Sequence, residues 1–296
     1  MSVNASVNTV SFEIQAFAKI NLMLEIISDR KDGYHEIKSI LQTLKLADRV
    51  RIIRDGLGRV EVSGPCKFGV PADENNLTYQ ALLKLANLHN FNPNEFSIEI
   101  IKNIPPAAGL GGGSSDAVAV LKLLQKYFPE ITELEITEIA TSIGSDEAFF
   151  LKGGTALVGG RGEVVEQLPP LPKHDVILFV PDIQVNKKTQ RMFEFFKGKP
   201  FDSGKRSLDF ATSLPRNIDS QQVFNSFERV AFDFFEGLQE LRLNLEKKMP
   251  VPIHLTGAGP TLFWIGLDVK NLQSNLCDLD LPCQVIQTST FSESVL

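Results

Sequence analysis

Cysteine is scarce in this 296-residue chain: Cys66, Cys277 and Cys283 are three in number, with no C-x-x-C pair and no Cys/His run at metal-ligand spacing. A disulfide framework and a structural zinc site are therefore not expected, and a reducing cytoplasmic setting is. Long apolar runs are missing too. Val176 to Val180 is typical of the longest pieces, far short of the roughly 18 residues that a membrane helix needs. The opening MSVNASVNTV lacks a signal-peptide pattern, so neither export nor membrane association is expected. No excess of positive charge exists either: 36 acidic against 30 basic residues give −6, with no Lys/Arg block. That balance argues against a general nucleic-acid or anionic-membrane binder, while leaving room for a local phosphate pocket. What is present, 43% hydrophobic and 22% charged residues, suits a globular protein of about two domains.

From Phe12 to Ile26 apolar residues fall on every second position, the period of a strand with one buried face. Its other face carries Lys19 and Asn21, about 7 Å apart along the strand. Leu44 to Ile53 and Ser97 to Ile101 also read as strands, and Leu77 to His89 as a helix with Asn75 and Asn76 as candidate caps. Helices are expected at about 114–127 and 131–143, the second stopped by Gly144, with Asp146 capping a short further turn. A hairpin follows, 155–158 and 163–165 around Gly159–Gly162. Pro169, Pro170 and Pro172 mark the best boundary. Beyond it come a strand at 176–180, a helix at 189–196, a polar loop at 198–206, one or two helices across 223–248, and strands at 253–255, 261–265 and 285–289.

The strongest chemical signal is PPAAGLGGGSSDA, Pro105 to Ala117, with four glycines in five positions before paired serines and a helix. Glycines let backbone N–H groups approach an anion without Cβ clashes, and the helix start adds unpaired donors and a positive dipole end. The ligand indicated is a phosphate; the alternative is a bare strand-to-helix turn. No lysine follows the glycines, so the Walker pattern fails, and the dinucleotide fingerprint would need glycine at Ser114.

This loop resembles the ATP loop of the GHMP superfamily of small-molecule kinases. AKINL (18–22), DGYHEI (32–37), IGSD (143–146), GRGE (160–163) and TGAGPT (256–261) follow the pattern of the branch acting on cytidine-diphosphate methylerythritol. The resemblance runs from about Phe12 to Ile265. It implies an α+β, two-domain GHMP kinase fold. Residues 1–168 would be the N-terminal domain, like ribosomal protein S5, with the ATP loop and catalytic residues; 173–296 would be a ferredoxin-like α/β plait. It also implies transfer of the ATP γ-phosphoryl group to a tertiary 2-hydroxyl in the methylerythritol phosphate route to isoprenoids.

By the same resemblance Asp146 is the base and Lys19 its electrostatic partner. ATP would be held by Pro105, Pro106, Ala107, Ala108, Gly109, Leu110, Gly111, Gly112, Gly113, Ser114 and Ser115, with Asn76, Leu77 and Lys102 on the adenine side. Asn21, Tyr34, His35, Phe193, Gly257, Ala258 and Gly259 would meet the acceptor. Read as residues alone, Asp146 and Asn76 are equally helix caps, Lys19 and Lys102 solvated lysines, Phe193 core and 257–259 a hairpin turn. Mg²⁺ is expected with ATP, its protein ligands unassigned, and the protein is expected as a monomer or homodimer. One departure stands out: after IGSD the family usually has a small apolar residue and proline, whereas here Glu147 follows. That carboxylate either raises the Asp146 pKa or points outward. The competing readings are a superfamily kinase acting on homoserine, mevalonate or a sugar, and a catalytically silent nucleotide binder.

Overall fold

The computed structural model describes residues 10–249, 251–269 and 282–291, so Cys277 lies outside the described residues. Two compact units interleave in sequence. Of the described residues the first unit takes 10–16, 47–106 and 112–147, and the second the remainder, including 17–46, 107–111 and the proline-rich segment 169–172. Among the described residues no helix is long and apolar enough to cross a membrane.

In the first unit, the end of β2 (His35–Arg54) pairs antiparallel with β4 (Phe96–Ile101), Arg49 opposite Ile101, and β3 (Val60–Ser63) runs parallel to β4. Helices α1 (Leu77–His89), α2 (Gly112–Tyr127) and α3 (Glu133–Ile143) pack on one another. Each start has a local cause. Asn76 caps α1 by accepting from Thr78 N, and Thr132 with Glu135 forms a capping box on α3. Helix α2 begins at Gly112, two residues before the sequence reading, because the positive backbone φ that requires glycine ends at Gly111. Strand β3 was not read from sequence.

In the second unit, β1 (Ser11–Asp29, whose residues up to Ala16 belong to the first unit) pairs parallel with β8 (Phe224–Asn225), and β2 pairs with β5 (Thr155–Gly159), which continues to β6 (Val164–Gln167). A separate antiparallel sheet has the order β11 (Cys283–Ser289), β7 (Asp175–Pro181), β10 (Leu262–Gly266), β9 (His254–Leu255). The helices are α4 (Glu147–Phe150, whose first residue belongs to the first unit), α5 (Lys188–Phe196), α6 (Lys205–Thr212), α7 (Glu228–Phe234) and α8 (Leu238–Lys248). Part of the expected loop 198–206 is thus the start of α6. The stretch 223–248 opens as a short strand, and its two helices are parted at Gly237, φ +79°.

Several of the 21 phenylalanines build aromatic clusters. Phe91, Phe96 and Phe128 form an aromatic cluster in the first unit, Phe91 stacked on Phe128 at 4.6 Å. Phe193, Phe196, Phe227 and Phe235 belong to the core of the second, with Leu241, Leu245 and Trp264. Edge-to-face and offset pairs of this kind add to what area burial alone provides. The alternation expected for β1 gives way to burial on both faces from Ala16 to Ile26, because polar groups and backbone turns of the same unit close over the face with Lys19 and Asn21.

Candidate active site

Lys19 sits in the buried stretch of β1, 3% exposed, and Asn21 is 4% exposed. The Lys19 ammonium donates to Asn21 Oδ1 at 2.8 Å. Asn21 is held in turn: its Nδ2 donates to Ser39 Oγ at 2.8 Å, and its backbone N to Thr256 Oγ1 at 3.1 Å. Lys19 N donates to Leu110 O at 2.9 Å, which fastens the glycine loop to β1. The reading of Lys19 as a solvated lysine is therefore excluded.

The glycines explain how backbone comes so close. A Cβ on Gly111 (φ +72°) would lie 2.7 Å from the Phe150 ring and 3.1 Å from Lys19 Cγ. One on Gly109 (φ +82°) would lie 2.5 Å from Thr256 O, and one on Gly257 (φ +57°) 3.3 Å from Lys19 Nζ. Lys188 adds a clasp, its ammonium donating to Ala107 O at 2.6 Å and also to Gly259 O. Ala107 to Gly111 and Gly257 to Gly259, Ala258 included, thus converge on Lys19 and Asn21 within the second unit. Gly111→Ala is expected to cost about 1–3 kcal/mol by overpacking, besides the strain of a left-handed alanine. The check is a lower Tm on thermal denaturation.

In the first unit, Pro105 is buried and Pro106 exposed ahead of the α2 start, where Gly112, Gly113, Ser114 and Ser115 form the first turn. Leu77 Cδ1 lies 3.5 Å from where a Gly113 Cβ would be. Asn76 is occupied as a cap, Oδ1 accepting from Thr78 N at 3.0 Å while Nδ2 donates to Pro71 O at 2.6 Å. Lys102, 2% exposed, is no surface lysine: its ammonium donates to Asp116 Oδ2 at 2.7 Å and to Asp48 Oδ2. Asp48 Oδ1 also accepts from the amides of Asn103 (2.6 Å) and Ile104 (2.9 Å). Burial pulls the Lys102 pKa down, but the charges of Asp116 and Asp48 outweigh it and the value is raised. Burial pushes the Asp116 carboxyl up against the opposing pull of Lys102. One ammonium faces two buried carboxylates, and Asp116 is the one whose value is raised.

Asp146 is half-buried just ahead of α4. Glu147 is 1% exposed, which excludes the outward-pointing reading. Burial, and secondarily the Asp146 charge, push its carboxyl up to about 7, while the Ser114 hydroxyl and the amides of Glu147 and Asp146 favour ionisation.

Tyr34 and His35 open a cavity of about 320 Å³ lined also by Asp29, Arg30, Phe196, Lys197 and Phe201. Phe193 does not line it. Instead it stacks on His35 with centroids 4.4 Å apart and planes at 16°, leaving no space for a base between those two rings. His35 Nε2 lies 3.1 Å from Asp29 Oδ1, and burial lowers the imidazole pKa against the pull of Asp29. Tyr34 is 51% exposed, its ring 5.0 Å from the Arg161 guanidinium.

Residues 76–154 match the family description "GHMP kinases N terminal domain". The 4-diphosphocytidyl-2-C-methyl-D-erythritol kinase of Caldanaerobacter subterraneus subsp. tengcongensis is 34% identical over 275 residues, covering 91% of this chain and 93% of that protein. The chain belongs to the 4-diphosphocytidyl-2-C-methyl-D-erythritol kinase family. A crystal structure of a 4-(cytidine 5'-diphospho)-2C-methyl-D-erythritol kinase aligns with a TM-score of 0.74 at 27% identity, over 94% of this chain and 99% of that one. A homoserine kinase from Cytophaga hutchinsonii shares the fold, with a TM-score of 0.67 at 15% identity over 99% and 98% of the two chains. The expected α+β GHMP kinase fold holds.

In the first turn of α2 a Cβ on Gly112 would lie 2.9 Å from Ile104 Cγ2, and a helix start leaves N–H groups without intrahelical partners, the kind of donor set an anion takes. Among the described residues no group of three or more His, Cys, Asp or Glu is placed to hold a metal. Sequence reading missed Asp48, Asp116, Lys188 and Thr256 as members of these networks. Asp116 stood beside the paired serines and Thr256 inside TGAGPT, but nothing around Asp48 in the sequence pointed to Lys102.

Proposed function

We propose that this protein transfers the γ-phosphoryl group of ATP to the tertiary 2-hydroxyl of 4-diphosphocytidyl-2-C-methyl-D-erythritol, in the methylerythritol phosphate route to isoprenoids. The observation that carries the proposal is chain-long membership of the family together with an intact, buried Lys19 whose ammonium is held by Asn21 and approached by Gly257. In the reaction the acceptor oxygen bonds to the γ-phosphorus, the bond from that phosphorus to the bridging oxygen of ADP breaks, and the hydroxyl proton passes to Asp146. A tertiary alcohol is crowded, so positioning and electrostatic stabilisation supply most of the acceleration. Lys19 offsets the negative charge gathering on the transferring oxygens.

Residues 105–115 hold the triphosphate, with Asn76, Leu77 and Lys102 on the nucleotide side; for Lys102 the role is indirect, because its donors are engaged by Asp48 and Asp116. Tyr34 and His35 receive the cytosine, with Phe193 backing His35 and not stacking on the base. Mg²⁺ accompanies ATP and shields its phosphates. The protein works in the cytoplasm as a monomer or homodimer.

The test is ADP release from Mg-ATP with purified protein and, in parallel, the cytidine-diphosphate acceptor, homoserine, mevalonate and galactose. Turnover confined to the first supports the reading; turnover only with another acceptor overturns the cytosine assignment. Tyr34→Ala is expected to raise KM for the cytidine acceptor about tenfold or more, since stacking is worth about 1–3 kcal/mol per base, with KM for ATP unchanged. Initial rates at varied acceptor concentration check this.

A further inference from the structure

Glu147 is a buried carboxylate, 1% exposed, at the start of α4. The carboxylate is packed against the end of α3: a Cβ on Gly144 would lie 2.5 Å from Oε2 and 2.9 Å from Oε1. From α2 it is faced by the Ser114 hydroxyl, and from its own turn by the amides of Asp146 and Glu147. Oε2 is buried with no hydrogen-bond partner. Among the described residues the one charged side chain acting on it is Asp146; Ser114 and the Gly144 backbone carry no charge.

A buried carboxylate beside a second carboxylate, with an oxygen lacking a donor, is costly when ionised. Bringing a triphosphate to the turn that contains Ser114 adds negative charge to the same place. We infer that Glu147 is a proton-linked positioning residue of the nucleotide loop, taking a proton from solvent onto Oε2 when the triphosphate binds. This inference rests on the nucleotide reading of residues 105–115. Protonation turns the orphaned acceptor into a donor and leaves Asp146 as the single anionic side chain of that turn. The carboxyl value of about 7 places the transition within reach of ordinary buffers. By linkage, a ligand that raises this value binds more weakly as pH climbs through it, by up to about tenfold per pH unit.

The experiment is titration calorimetry of the full-length protein with a non-hydrolysable Mg-ATP analogue. It is run from pH 6.5 to 8.5 in pairs of buffers of different ionisation enthalpy, on the wild type, Glu147→Gln and Glu147→Val. The wild type is expected to take up a proton on binding above pH 7 and to lose affinity as pH rises, whereas both variants bind with neither effect. Proton uptake that persists in Glu147→Gln, or that is absent from the wild type, overturns the inference. The wild-type arm decides even if a variant does not fold. Binding without proton uptake discards Glu147 alone; no binding by the wild type discards the nucleotide reading as well.

Discussion

Asp146→Asn is expected to lower kcat by about 10² to 10⁴, the usual worth of a positioned base, with KM for ATP and the melting temperature close to wild type. The amide keeps the size of the side chain but cannot accept the hydroxyl proton, so the loss falls on the chemical step and not on binding. A second effect travels with it. The Asp146 charge is one of the two causes that push the Glu147 carboxyl up, so removing it leaves burial as the principal cause and brings that carboxyl back toward the usual glutamate range. Single-turnover phosphoryl transfer with analogue binding measured in parallel separates the two. Wild-type turnover by the variant would remove Asp146 from the mechanism and leave it as a helix cap.

Lys102→Met is expected to destabilise the protein by about 3–5 kcal/mol, the scale seen when one partner of a buried charged cluster is deleted. Methionine matches the stem and removes the ammonium, leaving Asp48 and Asp116 buried without a cation. The sign of the pH dependence follows from Asp116. Its folded value is raised above the unfolded one, so its contribution is fully present below the usual aspartate range and is lost as pH rises through the folded value. Without Lys102 that folded value climbs further, so the variant should be closest to wild type in acid and fall behind toward neutral and alkaline pH. Urea denaturation at pH 5, 7 and 9 checks this; an equal deficit at all three would mean that packing, not charge, is what Lys102 provides. Because Asp48 also holds the amides of Asn103 and Ile104, the variant should weaken ATP binding without altering the acceptor KM.

What could be read in advance was local. Asn76 capping α1, Gly144 closing α3 and the glycine loop opening α2 each depend on residues within a few positions, and periodicity located β1, β7 and α5 closely. The motifs also carried Lys19 and Asn21 as a pair on one strand face. Illegible were effects created by distant chain segments. Asp48 meets Lys102 across 54 positions, and α6 grows from a stretch that reads as a polar loop because its capping glycine, Gly204 at φ +74°, gives no side-chain signal. Phe193 reads from sequence as a second wall for the cytosine, whereas in the structure its ring stacks on His35, a distinction that depends on a separation of a few ångströms. Glu147 could not be assigned a direction from sequence, since burial and exposure are equally compatible with the first residue of a one-turn helix.

The bond from Asn21 N to Thr256 spans 235 positions and sets an order of events during synthesis. Asn21 leaves the ribosome 235 residues ahead of the hydroxyl that satisfies its amide. Local helices such as α2 need not wait, but the lysine setting does, because loop closure over such a span comes late in folding. Nascent chains arrested before Thr256 should therefore carry an incomplete Lys19 environment, exposing to chaperones or proteases a strand that the finished protein buries on both faces.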